Sequence, residues 1–362
     1  MEQKEIENHI KRIVIRVPNW IGDAVMATAS IEALIKLFPQ ASIYIAARPW
    51  VASVFKAHKG IKGIIELEYQ EKTTLKGLIT NAKKIKSKDF DLALILPNSI
   101  ESALVTFLAR VPIRIGHNSQ GRSLFLTHSV KVPEFKKTRH EVFYYLNLVS
   151  YIERYILKKS QTSISLYSKE IGSPALKLYV DKKSLDSSKL LLKKLNIDLN
   201  KGLIGFNPGA AYGPAKCWPT DKFRELAGLI SKNLSHSILV FGTKREIPIA
   251  QEICKASSKV YSLCGKTSLS EAIALISKLN LMVTNDSGLM HVAAALDIPS
   301  IAIFGSTNPI TTGPWSKKAI VVRKELECSP CLKRQCPRKD MDFACMKQIS
   351  VEEVFSYVKK FI

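Results

Sequence analysis

KRIVIRVPNWIGDAVMATASIEALIKLFPQASIYIAA, residues 11–47, sets two short aliphatic runs, KRIVIRV (11–17) and ASIYIAA (41–47), around a segment with helical apolar spacing over 22–37. Strand, helix and strand of these lengths form one right-handed crossover between parallel strands. The alternation continues outward, with KGIIEL (62–67) and DLALIL (91–96) as strands and helices near 50–57 and 74–86. The second half repeats it. LIGFNPG (203–209), SILVFG (237–242), VYSLCG (260–265), LMVTN (281–285) and SIAIFG (300–305) read as strands, with helices at 220–232, near 246–257, over SLSEAIALISKLN (268–280) and from Gly288. The predicted fold class is α/β, two Rossmann-like doubly wound domains in series. The polar stretch 151–200, which includes a basic helix over 183–196, separates them and puts the boundary near 172–180. The expected domains are 1–176 and 177–345, and the amphipathic end of the chain, 346–362, is expected to cross back over the first domain.

With 362 residues and 46% apolar content, the chain exceeds one ordinary hydrophobic core. It has no apolar run long enough to span a bilayer, and MEQKEIENHIKR leads straight into the first strand, so a cytoplasmic location is expected. Lys and Arg number 54 against 31 Asp and Glu, a net charge of +23. Such a field draws a nucleic acid, an anionic membrane surface or a phosphorylated substrate. The basic residues are spread through both halves, and runs such as LKKLN and YVKK also read as solvated helix faces. No RNA- or DNA-binding motif is present, so a nucleic-acid partner is not expected. Seven cysteines without a leader argue against a disulfide framework. Cys328, Cys331, Cys336 and Cys345, spaced C-x2-C-x4-C-x8-C, suit either a structural metal or reduced buried thiols.

In open parallel sheets ligands sit beyond the carboxyl ends of the strands, which selects three segments. PNWIGD (18–23) places Gly22 and Asp23 at the start of a helix, where the carboxylate either caps the helix or faces a ligand. NPGAAYGPAKCWP (207–219) offers backbone N–H groups and the point charge of Lys216 to a diphosphate, or is a plain turn. NDSGLMHVAAAL (285–296) sets Asp286, Ser287 and Gly288 at a helix N-terminus with His291 one turn in, a good phosphate seat or a capping turn with a packed histidine.

These three segments, taken with LPNSIESALVTFLARVPIRIGH (96–117), resemble glycosyltransferase family 9, the ADP-heptose:lipopolysaccharide heptosyltransferases. They look most like the type II members, which add the second heptose. The resemblance implies a GT-B fold, two Rossmann-like domains facing a cleft, and an inverting transfer that needs no metal for catalysis. It implies Asp23 as general base and Lys216 as the cation on the leaving ADP. Donor contacts carried over by position are Gly22, Ala211, Tyr212, Glu246, Thr267, Asp286, Ser287, Gly288 and His291; at Ala211 and Tyr212 some members have hydroxyl residues. Acceptor contacts are implied at Asn98 and Ser99, at Arg114 and Arg122, and at Lys136, Lys137, Arg139 and His140 in KKTRHEVFYYLNLV (136–149). The implied partners are ADP-heptose, a heptosyl-Kdo2-lipid A acceptor and the inner face of the inner membrane. Three alternatives stand beside it: a family 9 enzyme of type I or III or for another sugar, a sugar-nucleotide epimerase, and a nucleic-acid-binding protein.

Overall fold

The computed structural model describes residues 9–69, 73–159, 162, 173–198 and 201–362. The chain divides into two compact units, Met1–Tyr179 and Val180–Ile362. Residues 163–172, part of the polar stretch read as the separator, lie outside the described residues.

In the first unit β1 (Arg12–Arg16), β2 (Ser42–Ala47), β3 (Gly63–Glu66), β4 (Leu92–Ile95), β5 (Ile113–His117) and β6 (His128–Val130) pair in the order β3-β2-β1-β4-β5-β6. In the second, β7 (Leu203–Asn207), β8 (Ser237–Val240), β9 (Val260–Ser262), β10 (Leu281–Asn285), β11 (Ser300–Phe304) and β12 (Ala319–Arg323) pair as β12-β11-β10-β7-β8-β9. Every pairing is parallel. Each sheet therefore has the doubly wound order, and its direction of winding reverses between β1 and β4 and between β7 and β10. β4, β7, β10 and β11 are buried at every position, as strands covered by helices on both faces must be.

The helices that position side chains discussed below are α1 (Ile21–Met26), α2 (Thr28–Leu37), α3 (Ile100–Leu108), α4 (Glu141–Tyr151), α5 (Thr220–Asn233), α6 (Gly288–Ala295) and α7 (Val351–Phe361). The single helix expected over 22–37 is two, α1 and α2. At the joint the Thr28 hydroxyl donates to the Val25 carbonyl at 2.7 Å and the Ser30 hydroxyl to that of Ala27 at 2.7 Å, competing with the helix's own ladder. β5, β6 and β12 were not among the runs singled out in the sequence: β6 has three residues and β12 is only partly buried.

The end of the chain corrects one expectation. α7 buries Val351, Val354 and Val358 in the core of the second unit, with Phe223 and Ile230 of α5. Just before it, the Ile349 carbonyl accepts from the Trp218 indole N–H at 3.1 Å and from Lys222 at 2.7 Å. Amphipathic spacing announces that a helix has a face to bury but not which domain receives it.

Two measurements follow from this packing. Val358→Asp, which forces a carboxylate into that core, is expected to cost roughly 3 kcal/mol or more in denaturant unfolding of the second unit; an unchanged midpoint removes α7 from the core. At the end of β5, His117 is fully buried, stacks on Tyr144 with ring centroids 4.1 Å apart, and meets Asn147 at 3.1 Å. Burial pushes its pKa down from 6.5 to about 3. The unfolded chain then binds a proton that the folded chain refuses, so the stability held by neutral His117 is complete above 6.5 and is lost as pH falls toward about 3. His117→Gln is expected to flatten the loss of unfolding free energy across that window.

Candidate functional site

The second unit gathers its polar residues at the β7/β10 reversal. Asn285, wholly buried at the end of β10, donates through Nδ2 to the Pro208 carbonyl at 2.6 Å and accepts through Oδ1 from the Trp218 N–H at 3.1 Å. One side chain thus holds both ends of the 208–218 loop. Asn207, at the end of β7, donates to the Thr284 hydroxyl at 3.1 Å and to that of Ser287. The Ser287 hydroxyl is therefore turned to Asn207, and it makes no capping bond to α6. The first-turn N–H groups of α6 keep their positive potential at this point.

Lys216 and Asp286, both assigned to the donor from sequence, meet each other. Lys216 Nζ lies 2.5 Å from Asp286 Oδ2, and the Thr307 hydroxyl donates to the same oxygen at 2.5 Å. The loops after β7, β10 and β11 are joined through one buried carboxylate. The Tyr212 ring lies 4.8 Å from Lys216 Nζ, and His291 is buried one turn into α6. Glu246 is held in a capping box, accepting from the Thr243 N–H at 2.7 Å and its hydroxyl at 2.6 Å. It also packs where a Cβ on Gly209 or Gly242 would come within 2.7 Å of it, so it stands at the ends of β7 and β8. Ala211 is exposed in the loop and Thr267 half-buried beyond β9.

In the first unit Gly22 and Asp23 occupy the first turn of α1, beyond β1. Gly22, assigned to the donor, thus lies beside Asp23. Asp23 Oδ1 accepts from the Tyr145 hydroxyl at 3.1 Å. Burial, then the Asp23 and Glu141 charges, hold the Tyr145 phenol well above its usual range, which keeps it a neutral donor. Burial raises the Glu141 carboxyl; Lys136, ion-paired to it, opposes that, and the Asp23 charge adds to it. The Lys136 ammonium also lies 3.6 Å from the Tyr144 ring centroid, and the Tyr144 hydroxyl donates to Asn98 Oδ1 at 2.8 Å. Asn98, Lys136 and Asp23 are thereby linked through α4. Ser99 caps α3, accepting from the Ser102 N–H at 3.3 Å, and His140 Nδ1 caps α4, accepting from the Val142 N–H at 3.3 Å. Arg139 lies 3.3 Å from the Phe143 centroid, and Lys137 is exposed.

Two implied acceptor contacts are engaged elsewhere. Arg122 is fully buried, donating to the His117 carbonyl at 2.9 Å, to the Pro97 carbonyl and to the Ser102 hydroxyl at 3.2 Å, and burial lowers its pKa to about 10. Arg114 donates to the Phe125 carbonyl at 2.8 Å and the Val111 carbonyl at 2.5 Å. Both guanidiniums pin strand-end loops.

The sequence reading missed Tyr145, Tyr144 and Glu141, and also a set at the ends of β1 and β2. Arg16, 1% exposed, donates to Asn19 Oδ1 at 2.8 Å and lies 3.9 Å from Glu101, which pairs with Arg48 at 3.1 Å. Its signal was available: an arginine closing the apolar run RIVIR.

The four tail cysteines are half-buried free thiols. Burial, then the neighbouring charges of Cys331, Cys328 and Cys336, raise the pKa of Cys345. Among the described residues no group of three or more His, Cys, Asp or Glu is arranged to hold a metal ion, so the structural-metal expectation gains nothing from this geometry.

The family described as glycosyltransferase family 9 (heptosyltransferase) matches residues 79–341. Lipopolysaccharide heptosyltransferase 2 of Salmonella typhimurium is 31% identical over 86% of this chain and 88% of its own length. Lipooligosaccharide heptosyltransferase 2 of Haemophilus influenzae is 29% identical over the same shares. The solved structure of the E. coli ADP-heptose lps heptosyltransferase II superposes with a TM-score of 0.79 at 26% identity, covering 97% of this chain and 98% of that one. With its two parallel six-stranded sheets, its polar strand-end turns and these likenesses, the chain belongs to glycosyltransferase family 9, the heptosyltransferases.

Proposed function

We propose that this protein is a heptosyltransferase of type II, transferring heptose from ADP-L-glycero-D-manno-heptose to the heptosyl-Kdo2-lipid A inner core of lipopolysaccharide with inversion at the anomeric carbon. The observation that carries the reading is Lys216, fixed by Asp286 beside the N-terminus of α6 at the strand reversal of the second unit. The acceptor hydroxyl oxygen forms the new bond to the anomeric carbon as the bond from that carbon to the β-phosphate oxygen breaks. Asp23 takes the hydroxyl proton, and the electron pair leaves with ADP. Lys216 and the N–H groups of α6 stabilise the charge that grows on the diphosphate. Asp286 would repel a phosphate directly, so its part is to orient Lys216 and the turn. Tyr145 holds the Asp23 carboxylate by a neutral hydrogen bond.

Fixed donors supply the leaving-group stabilisation, so the reading needs no metal ion in catalysis. On the acceptor side, Lys137 and Arg139, with Lys136 and His140 at the start of α4, supply the positive potential for an anionic core sugar. No helix among the described residues is long and apolar enough to cross a membrane. The net charge of +23 suits a protein that works in the cytoplasm against the anionic inner leaflet.

The deciding experiment is ADP release by the purified protein with ADP-heptose, with and without heptosyl-Kdo2-lipid A, in EDTA. Release that requires the acceptor and survives the chelator is expected; release without any acceptor points to an epimerase or hydrolase instead. In the same assay Asp23→Ala is expected to lower turnover roughly 100-fold or more with donor affinity retained. Lys216→Ala is expected to weaken both. Near-normal turnover by Asp23→Ala removes it as the base.

A further inference from the structure

The tail that carries the cysteines reaches the donor loop through its backbone. The Tyr212 hydroxyl donates to the Leu332 carbonyl at 2.8 Å, and the Ala215 N–H donates to the Arg334 carbonyl at 3.1 Å. Between those two contacts stands Gly213, with φ at +151°, where a Cβ would lie 2.5 Å from the Arg334 oxygen. Only glycine admits that approach. On the other side, the Leu332 N–H donates to the Ser306 carbonyl at 2.7 Å and the Ser329 hydroxyl to that of Gly305 at 2.7 Å. The tail is thus stitched to the loops after β7 and β11, which flank β10 and its Asp286 turn in the sheet order.

This path delivers a second cation. The Arg334 guanidinium lies 5.2 Å from the Tyr212 ring centroid, beside the ring that also faces Lys216 at 4.8 Å. Asp286 serves Lys216, and among the described residues no carboxylate pairs with Arg334. Two cations lie against one aromatic ring and of the two only Lys216 is ion-paired, leaving a positive excess at the place where a diphosphate is read to bind. A guanidinium fork takes phosphate oxygens two at a time, which an ammonium does not.

We infer that Arg334 is a diphosphate-binding residue of the donor site, carried there by the 328–336 tail loop. The inference rests on the reading of that site given above, and it adds a phosphate contact from a segment outside both sheets. Arg334 and Lys216 act on the same anion from two loops, so neither alone carries the whole attraction.

ADP and adenosine binding, measured by calorimetry on the full-length wild type, Arg334→Ala, Arg334→Lys and Lys216→Ala, tests it. Arg334→Ala is expected to weaken ADP binding about tenfold, to leave adenosine binding unchanged and to steepen no unfolding curve, with Arg334→Lys in between. ADP affinity of Arg334→Ala equal to wild type, while Lys216→Ala loses it, overturns the inference and leaves the site reading intact. Equal losses of ADP and adenosine also overturn it, since the residue then acts through loop packing. Failure of the wild type to bind ADP overturns both the inference and the site reading.

Discussion

The 208–218 loop depends on Asn285. Its amide is wholly buried at the end of a central strand and bonds in both directions, to the Pro208 carbonyl and the Trp218 N–H. A buried donor or acceptor left unpaired costs about 1–3 kcal/mol, so both ends of the loop are held against the sheet by the cost of leaving that amide unmatched. The stretch between them is anchored at its ends by these two bonds, and the tail carbonyls of Leu332 and Arg334 hold its middle. Asp286, the next residue, then ties the same loop to the far side of the strand through Lys216 and Thr307. Two consecutive polar residues, at the end of an apolar strand and just after it, thus frame the loop.

In the first unit the frame is electrostatic. Arg16 and Arg122 are buried guanidiniums: Arg16 donates to Asn19 and faces Glu101 on the first turn of α3, and Arg122 donates to the carbonyl at the end of β5. Removing such groups from water is costly, and the cost is offset by fixed carbonyl oxygens at the carboxyl ends of β1, β4 and β5. Near Asp23, by contrast, stand a neutral phenol that donates to it and the Glu141 carboxyl, raised by burial and by the Asp23 charge. Asp23 and Glu141 thus bring two carboxyl groups to one end of α4, with Lys136 ion-paired to the second.

Much of this was legible in the sequence, and the rest was not for identifiable reasons. The two sheets, Asp23, the 207–219 loop and the 285–288 turn stand at the ends of apolar runs broken by Gly, Pro and Asn, and that punctuation survives in one dimension. β6 and β12 are too short or too exposed to leave such a mark. That Arg122 is fully buried was hidden because residue type reports charge and not burial. Tyr145 lies 122 residues from Asp23, and only the folded chain brings them together. The destination of α7 was hidden for a related reason: a stripe of valines looks the same whichever core accepts it.

The junction at Gly213 has an evolutionary reach. The tail offers the donor loop two main-chain carbonyls, and the loop makes room by lacking a side chain at one position. A contact of this kind reads the course of the tail and is indifferent to its amino acids. Side chains between Cys328 and Cys336 that take no part in holding the tail can change without moving its main chain; Ser329, whose hydroxyl donates to Gly305, and Arg334, against the Tyr212 ring, are not among them. The tail keeps its course by main-chain bonds, so its outward side chains can change while both sheets, and the bonds that hold them, stay as they are.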